Sequence, residues 1–344
     1  MKRLALVTIL FAAPLAHADP DDAGYTTHAI ALPGGDADGV LMDYLAYDPR
    51  TKAVWVPAGN SGKVDVIDTS SGSLRSIDGF PTQEMERRGK KRTVGPSSVT
   101  LGAKGTIYIG SRGDFTICAI DEKKLTKGAC GTLDSMPDGI AYVAKTKEIW
   151  VTTPRDKSVR ILDAKTLAQK AKLDFEGEPE GFAVDDKRGR FYTNLEDKDQ
   201  TLAIDLKTHK TIATWAPACG EEGPHGLRLD AAKGWLFVAC SAKAEVMDVG
   251  HAGHEGKILG SIDTGDGVDD LDYSAARHQL YAGGARAATL TIATVDAKGA
   301  LAPFAVIATG QGARNGVVDD AGKIYLARSQ GAELVVAEPP AKAK

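Results

Sequence analysis

The chain has 344 residues, with 42 Lys and Arg against 46 Asp and Glu, and its formal net charge is −4. This balance lacks the basic excess that a nucleic-acid partner would require, so none is expected. The length would allow two domains, but a repeated pattern from Asp43 to Val336 without a linker predicts a single domain over residues 19–344.

The first residues predict an export signal. Met1-Lys2-Arg3 is positively charged, residues 4–15 are apolar, and Ala16-His17-Ala18 has the small-x-small pattern of a cleavage site. We therefore expect residues 1–18 to be a signal peptide, cleaved after Ala18, and the protein to be periplasmic or secreted. No later stretch reaches the roughly 18 apolar residues that a spanning helix needs, so no membrane span is expected.

A four-residue pattern occurs seven times, at a spacing of roughly 44 residues. A unit of this length cannot bury both of its faces alone and must pack on its neighbours in a closed ring. The repeat predicts an all-β fold, a seven-bladed β-propeller of four-stranded blades. The quartets are Met42-Asp43-Tyr44-Leu45, Pro96-Ser97-Ser98-Val99, Pro137-Asp138-Gly139-Ile140, Pro179-Glu180-Gly181-Phe182, Pro224-His225-Gly226-Leu227, Val268-Asp269-Asp270-Leu271 and Arg314-Asn315-Gly316-Val317.

Within each unit, short β-branched and aromatic runs such as Ile149-Trp150-Val151 follow the quartet and predict a second strand. The predicted third strands end in Asp in six units, where the side chain would cap the following turn. These residues are Asp68, Asp121, Asp163, Asp205, Asp248 and Asp296. The seventh unit stops before a fourth strand. We therefore predict that an N-terminal strand at about residues 26–32 joins the last blade and closes the ring.

The segment Phe191-Tyr192-Thr193-Asn194, the Pro-x-Gly quartets and the third strands ending in Ile-x-Asp or Ile-Asp resemble the YVTN-type seven-bladed propellers, the YncE-like group. The resemblance covers essentially the whole chain after the predicted signal. It implies the fold, whereas its members have binding, scaffolding and enzymatic roles alike.

Four cysteines in an exported protein predict disulfides. Cys118 and Cys130 fall on the third and fourth strands of the second blade, about equally far from the turn, so they should face each other. Cys219 precedes the fifth quartet, and Cys240 closes the second strand of the same blade. We predict that Cys118 pairs with Cys130 and that Cys219 pairs with Cys240, which would stiffen the loop carrying His225.

In a radial arrangement, the second residue of every quartet begins an innermost strand, so these residues should encircle one axial mouth. They are Asp43, Ser97, Asp138, Glu180, His225, Asp269 and Asn315. This ring contains four carboxylates, one histidine and no Lys or Arg. Three interpretations remain open: a solvated polar funnel, a site for one divalent cation, or a site for an organic cation.

The metal interpretation has candidate ligands in this ring. Oxygens from Asp138, Glu180, Asp269 and Asn315 would suit Ca²⁺, whereas His225 would favour Zn²⁺ or another transition ion. The loops that leave the second strands emerge on the same face and should form a rim. That rim is predicted to contain Asn60, Arg112, Asp114, Arg155, Asn194, Glu196, Lys243 and Arg328.

Candidate ligand-binding residues come from both the ring and the rim. They are Asp43, Ser97, Arg112, Arg155, Asn194 and Arg328, of which the three arginines could hold a carboxylate or phosphate. An insertion at residues 84–92 lies on the same face and is either a basic flap or a solvated loop. His251 and His254 are interpreted as solvated loop residues.

Pro137-Asp138-Gly139 and Glu180 also resemble parts of the gluconolactonase-like propellers. In that group, Glu, Asn and Asp hold a divalent ion in the axial channel and the metal polarises a lactone carbonyl. Those enzymes have six blades, whereas this chain has seven units. The sequence therefore predicts an exported propeller that binds a small ligand or an exported protein partner at its axial mouth. The alternatives are a metal-dependent lactonase-like hydrolase and a non-catalytic periplasmic scaffold.

Overall fold

The computed structural model describes residues 22–87 and 89–341. The predicted signal peptide and its cleavage site lie outside the described residues. Among the described residues, no helix is both long and apolar enough to cross a bilayer.

The described chain forms seven four-stranded antiparallel sheets and one separate hairpin. Blade 1 contains β2 (Ala46–Asp48), β3 (Ala53–Ala58), β4 (Lys63–Asp68) and β5 (Leu74–Ile77), and the hairpin contains β6 (Gln83–Arg87) and β7 (Lys90–Val94). Blade 2 contains β8 (Pro96–Leu101), β9 (Thr106–Ser111), β10 (Thr116–Asp121) and β11 (Thr126–Thr132). Blade 3 contains β12 (Ile140–Val143), β13 (Glu148–Thr153), β14 (Ser158–Asp163) and β15 (Gln169–Asp174).

The remaining blades repeat this arrangement. Blade 4 contains β16 (Pro179–Asp185), β17 (Arg190–Leu195), β18 (Gln200–Asp205) and β19 (Thr211–Trp215). Blade 5 contains β20 (Pro224–Asp230), β21 (Trp235–Cys240), β22 (Lys243–Asp248) and β23 (Ile258–Asp263). Blade 6 contains β24 (Val268–Ser274), β25 (Gln279–Gly284), β26 (Thr289–Val295) and β27 (Leu301–Ala308). Blade 7 contains β28 (Ala313–Val318), β29 (Ile324–Arg328), β30 (Glu333–Glu338) and, as its outer strand, β1 (Thr26–Ala31).

The ring is closed by the N-terminal strand, as predicted. Strand β1 pairs antiparallel with β30, in a register that runs from Thr26 opposite Glu338 to Ala31 opposite Glu333. The last blade is thus built from both ends of the chain. Strand β1 covers the edge that β30 would otherwise expose. The seven-bladed propeller predicted from the repeat is confirmed.

The apolar core lies between blades. The second and third strands carry nearly continuous buried runs such as Ala53–Ala58, because both faces of each sheet are covered by a neighbouring blade. Trp55 of blade 1 packs in one cluster with Ile109 of blade 2, and Trp150 of blade 3 packs with Phe191 of blade 4. Similar clusters join every adjacent pair of the described blades, including blade 7 with blade 1.

The aspartates that end the third strands are turn formers, as predicted. Asp68 Oδ1 accepts hydrogen bonds from the backbone N–H groups of Ser70 (2.9 Å) and Ser71 (2.8 Å). Four others repeat this pattern at the start of their hairpins. Asp296 accepts from the N–H groups two and four residues further on, those of Lys298 and Ala300. The predicted disulfides are also present in the structure, Cys118 with Cys130 across β10 and β11 and Cys219 with Cys240 beside the fifth quartet.

The insertion at residues 84–92 falls on the hairpin of β6 and β7. It is largely exposed, and Lys91 Nζ pairs with Glu84 Oε1 (2.8 Å). Its base is held by Gln83, whose Nε2 donates a hydrogen bond to the carbonyl of Arg112 (2.7 Å). The segment is thus a paired β-hairpin at the rim, a regular element that neither sequence interpretation included.

Candidate functional site: a divided axial mouth

Irregularities in the inner strands set the direction of the quartet residues. The pairing register shifts at the quartet in β8, β16, β20, β24 and β28, where extra residues are accommodated against the second strand. Such β-bulges re-aim side chains that a regular strand would direct to its faces. Four short 3₁₀ helices, η1 (Gly59–Ser61), η2 (Pro154–Asp156), η3 (Glu196–Lys198) and η4 (Ser329–Gly331), follow second strands on the same side of the ring.

One half of the mouth is neutralised by arginine. Arg112 Nη2 lies 2.6 Å from Asp43 Oδ2 and also contacts Asp138 Oδ1, so one guanidinium bridges two quartet carboxylates. Tyr44 O–H donates a hydrogen bond to Asp138 Oδ2 (3.3 Å). Both carboxylates therefore already have a cation. Asp138 is occupied by an internal partner, which makes it a poor ligand for a metal ion.

Asn315 continues this neutralised half. It has a left-handed backbone, with φ 51°, a conformation that Asn tolerates better than most residues. Its Nδ2 donates hydrogen bonds to Asp43 Oδ1 (2.9 Å) and Asp269 Oδ2 (2.7 Å). Arg314 Nη1 lies 3.2 Å from the other Asp269 oxygen. The Asn315 amide thus donates to two acids. The seven ring residues include no Lys or Arg, but Arg112 from the rim and Arg314 from the seventh quartet supply the positive charge.

The other half of the mouth has a different composition. Glu180, Glu196 and His225 each offer a ligand atom, and these atoms all lie within 4.8 Å of one another. His225 Nδ1 is 3.4 Å from Glu196 Oε1, without the geometry of a hydrogen bond. Asn194 Nδ2 donates a hydrogen bond to the carbonyl of His225 (2.6 Å), which fixes the backbone of that residue.

Two atoms of this cluster lack partners. Glu180 Oε2 and His225 Nδ1 are buried and have no hydrogen-bond partner among the described residues. A buried polar atom without a partner is costly, so these two atoms are available to a ligand, an ion or water. The cluster of Glu180, Glu196 and His225, which we call the EEH cluster, is therefore the part of the mouth that can accept a further group.

The electrostatics agree with this division. Burial, the adjacent carboxyl group of Glu196 and the negative charges of Asp269 and Asp138 raise the pKa of Glu180 well above its usual range. Burial also raises the pKa of Asp43 to about 6, but the charge of Arg112 opposes that shift. A carboxyl group with a raised pKa and no cation beside it gains most from a positive charge.

The predicted ligand-binding residues are not gathered into one site. Ser97 and Asn194 are buried, and the Asn194 amide is used by His225 and Thr201. Arg155 is exposed on η2, and Arg328 pairs with Glu333. Among the six residues, Asp43 and Arg112 meet directly.

Sequence reasoning placed Glu196 on the rim but did not connect it with the quartet residues. The position of Glu196 directly after the Asn194-Leu195 end of a second strand could have suggested this contact, and η3 turns the residue inward. The turn preceding His225 also approaches closely, because a Cβ at Gly223 would lie 1.8 Å from the Glu196 carbonyl oxygen. His251 is exposed and its Nδ1 lies 2.9 Å from Asp248 Oδ2, as expected of a solvated loop residue.

The fold and this mouth define the class: a seven-bladed β-propeller with a charge-divided axial opening. No family model matches the chain. No curated protein sequence matches it. The fold is similar to that of a chain in a mitotic checkpoint complex structure, with TM-score 0.71 and 13% identity over 98% of this chain and 98% of that chain.

Two lyase structures have similar folds. A streptogramin B lyase has TM-score 0.70 and 13% identity, with 91% of this chain and 97% of that chain covered. A catalytically inactive histidine-to-alanine variant of virginiamycin B lyase from Staphylococcus aureus, determined with quinupristin, has TM-score 0.69 and 12% identity, with 91% and 99% covered. At these identities the similarity establishes the propeller fold alone.

Proposed function

We propose that this propeller binds a divalent cation at the EEH cluster and, together with that ion, a small oxygen-containing ligand at its axial mouth. The observation that carries the proposal is the convergence of Glu180, Glu196 and His225 ligand atoms within 4.8 Å of one another. The unpartnered Glu180 Oε2 and His225 Nδ1 provide free ligand atoms for the ion.

The donor set favours a particular group of metals. Carboxylate and imidazole donors together suit Zn²⁺, Mn²⁺ or a related ion, whereas a Ca²⁺ site would be built from oxygens alone. Three protein ligands leave a coordination position open, which an oxygen of a ligand can fill. Three of the ligands suggested by the sequence are used in the other half of the mouth. Arg112 pairs with Asp138, and Arg314 pairs with Asp269. Asn315 donates hydrogen bonds to Asp43 and Asp269.

The setting of this function is an exported protein. Two disulfides favour an oxidising, extracellular environment. The basic and apolar residues 1–15 support cleavage of a signal peptide after Ala18. The disulfides and the predicted signal peptide support a periplasmic or secreted location. The Phe191-Tyr192-Thr193-Asn194 motif supports a propeller of the YVTN, YncE-like kind.

Metal titration of the purified protein tests the proposal. After removal of ions with EDTA, we expect Zn²⁺ or Mn²⁺ to bind at about one equivalent and to raise the melting temperature. The stabilisation follows from mass action, since a ligand that binds only the folded state favours it. Glu180→Gln and His225→Ala should each weaken binding by about tenfold or more. Lys91→Ala, on the exposed hairpin, is the control.

Absence of binding by all of Zn²⁺, Mn²⁺ and Ca²⁺ would contradict the metal site and favour a non-catalytic scaffold for exported proteins. Equal binding by the Glu180→Gln variant and the unaltered protein would place the ion elsewhere. Circular dichroism of each variant separates loss of the site from loss of the fold.

A second candidate function is metal-dependent opening of a lactone or related ester. The specific observation is the proximity of His225 to Glu196, at 3.4 Å, beside the proposed metal position. A neighbouring carboxylate can orient an imidazole that ligates a metal, and the bound divalent ion can polarise a carbonyl. A panel of lactones, including streptogramin-type cyclic esters, assayed with added Zn²⁺ or Mn²⁺ tests this function. Ring opening that disappears in His225→Ala would support this function. No turnover by the metal-loaded protein would contradict it and leave ligand binding as the proposed function.

A further inference from the structure

A second concave space lies in the axial channel, towards the face opposite the mouth. It has a volume of about 420 Å³ and is lined by third and fourth quartet residues and by residues that follow them along the inner strands. The rings of Tyr44 and Phe182, whose centroids are 5.5 Å apart, stand at its inner end. We call this space the lower cavity. Its volume lies within the range of small-molecule sites.

The inner part of the lower cavity is apolar. Besides the two aromatic rings, the lining includes the aliphatic side chains of Val99, Ile140 and Leu227. Such a surface gains free energy when an apolar group replaces water against it. The cavity can therefore accept the hydrocarbon or aromatic body of a small molecule.

The polar part of the wall carries more acid than base. Arg228 is the basic residue among the lining residues, and its Nε lies 2.7 Å from Asp272 Oδ1. Asp272 Oδ2 also accepts the backbone N–H of Val318 (2.8 Å). Asp320 Oδ2 accepts a hydrogen bond from Tyr47 O–H (3.0 Å). These contacts occupy Arg228, Asp272 and Asp320.

In the part of the chain that the structure describes, Asp270 has no cation in direct contact; burial raises its pKa to about 7, and the charge of the nearby Arg228 opposes that shift. Its Oδ1 accepts the backbone N–H of Leu271 (2.8 Å), and among the described residues its carboxylate forms no ion pair. The carboxylate is pressed against Gly226, where a Cβ would lie 2.1 Å from Asp270 Oδ1. The close packing holds this acid at the channel wall, where it lines the lower cavity.

We propose that the lower cavity binds a small organic ammonium ion, with the ammonium group at Asp270 and an apolar body against Tyr44 and Phe182. A carboxylate without a cation favours a positive ligand over a neutral or negative one of the same shape. Aromatic faces near the charge add to the preference through cation–π attraction. This site is separate from the EEH cluster and needs no metal ion.

A charge series of one molecular shape tests the proposal on the unaltered protein. The probes are 2-phenylethylammonium, neutral 2-phenylethanol and anionic 3-phenylpropionate, titrated in the presence of EDTA and followed by calorimetry or ligand-observed NMR. We expect the ammonium probe to bind at least about tenfold more tightly than either other probe. Equal affinities for the three probes, or no binding of the ammonium at millimolar concentration, would overturn the proposal.

A variant pair locates the site. Asp270→Asn should weaken binding of 2-phenylethylammonium by about tenfold or more and leave 2-phenylethanol nearly unchanged. The matched control is Asp263→Asn, which removes an exposed carboxylate at the end of β23 and should bind all probes as the unaltered protein does. Full ammonium affinity in a folded Asp270→Asn variant would refute the assignment. If that variant does not fold, the charge series on the unaltered protein decides the question.

Discussion

Asp138 and Glu180 show how the same quartet position acquires opposite properties in two blades. The guanidinium of Arg112 meets Asp43 and Asp138, whereas Glu180 faces another carboxylate, Glu196, and a histidine. A buried carboxylate with a cation beside it is stabilised in its ionised form, and one beside another acid is not. The position of a single arginine therefore divides the mouth into a structural half and a half with free ligand atoms.

Removing that arginine should destabilise the fold. Arg112→Leu leaves Asp43 and Asp138 in a largely buried site without their cation, and breaking a buried pair from one side costs about 3–5 kcal/mol. We expect a decrease of that order in the free energy of unfolding in urea. Arg112→Leu combined with Asp43→Asn should recover part of the loss, because one uncompensated charge is removed.

The control for this experiment is the exposed Arg75, on β5 of blade 1. Arg75→Leu should change the free energy of unfolding by less than about 0.5 kcal/mol. A similar small effect of Arg112→Leu would mean that the observed ion pairs contribute nothing measurable, and the division of the mouth would lose its energetic basis.

A second residue-scale prediction concerns pH and lies between blades 1 and 2. The carboxyl group of Glu122 lies beside the buried Asp48, with Arg50 Nη2 3.4 Å from Glu122 Oε1. The hydrogen bond to Asp48, reinforced by burial, raises the pKa of Glu122 from 4.5 to about 7. Between these values the folded protein holds a proton that the unfolded chain has released, so stability falls as pH rises from about 4.5 to 7.

Glu122→Gln should remove this fall, because an amide donates a hydrogen bond to Asp48 at every pH. Relative to the unaltered protein, we expect a gain on the order of 2 kcal/mol at pH 8 and little change at pH 4.5. Urea unfolding at several pH values measures it, with Glu86→Gln on the exposed hairpin as the control. Identical pH profiles for Glu122→Gln and the unaltered protein would show that the two carboxyl groups do not share a proton.

At the scale of elements, the glycines of the quartets allow neighbouring inner strands to approach closely. A Cβ at Gly181 would lie 2.0 Å from the carbonyl oxygen of His225, in the next blade. This carbonyl also accepts the hydrogen bond from Asn194. The third quartet residue is therefore glycine where the backbone of the neighbouring quartet lies against it. The backbone position of His225 depends on this close approach.

Gly181→Ala should displace the His225 backbone and cost about 2 kcal/mol or more in stability. We also expect weaker Zn²⁺ or Mn²⁺ binding than in the unaltered protein, because His225 belongs to the EEH cluster. Gly128→Ala on β11 is the matched control, since its Cβ would lie 3.2 Å from the nearest atom, the Ala119 carbonyl oxygen. Unchanged stability and metal affinity in Gly181→Ala would show that the close approach imposes no constraint.

At the scale of the whole molecule, stability depends on closing the circle. Each apolar cluster joins two adjacent blades, and the cluster between blades 7 and 1 includes Val336 of β30 together with Val54 of β3. A ring that cannot close leaves a blade face and a strand edge exposed. Strand β1 provides the closing edge by pairing with β30.

Deleting residues 26–31 should therefore prevent cooperative folding or cause aggregation, although it removes few buried side chains. Size-exclusion chromatography and thermal unfolding measure the outcome. Replacing residues 84–93 of the exposed hairpin by two glycines removes more chain and should leave the unfolding transition nearly unchanged. A soluble, cooperative protein lacking β1 would contradict the role of this strand in closure.

The sequence was sufficient for features that depend on repetition. The seven quartets, the strands that follow them and the Asp at six third-strand ends could be predicted, because the blades meet the same packing requirement with the same local pattern. The missing fourth strand of the last unit similarly predicted the pairing of β1 with β30. The cysteine pairs followed from their places in the blades: Cys118 and Cys130 on adjacent strands, and Cys219 in the loop before the fifth quartet with Cys240 at the end of the next second strand.

Repetition alone thus predicts the ring, its closure and the residues that converge on the axis. Which of those residues meet is visible only in three dimensions: Arg112 reaches Asp43 and Asp138, Asn315 turns its amide to two acids, and Glu196 joins Glu180 and His225. These contacts depend on bulges, 3₁₀ helices and side-chain directions that differ between blades. A repeat pattern records what the blades share, whereas the charge of the mouth arises from the places where they differ.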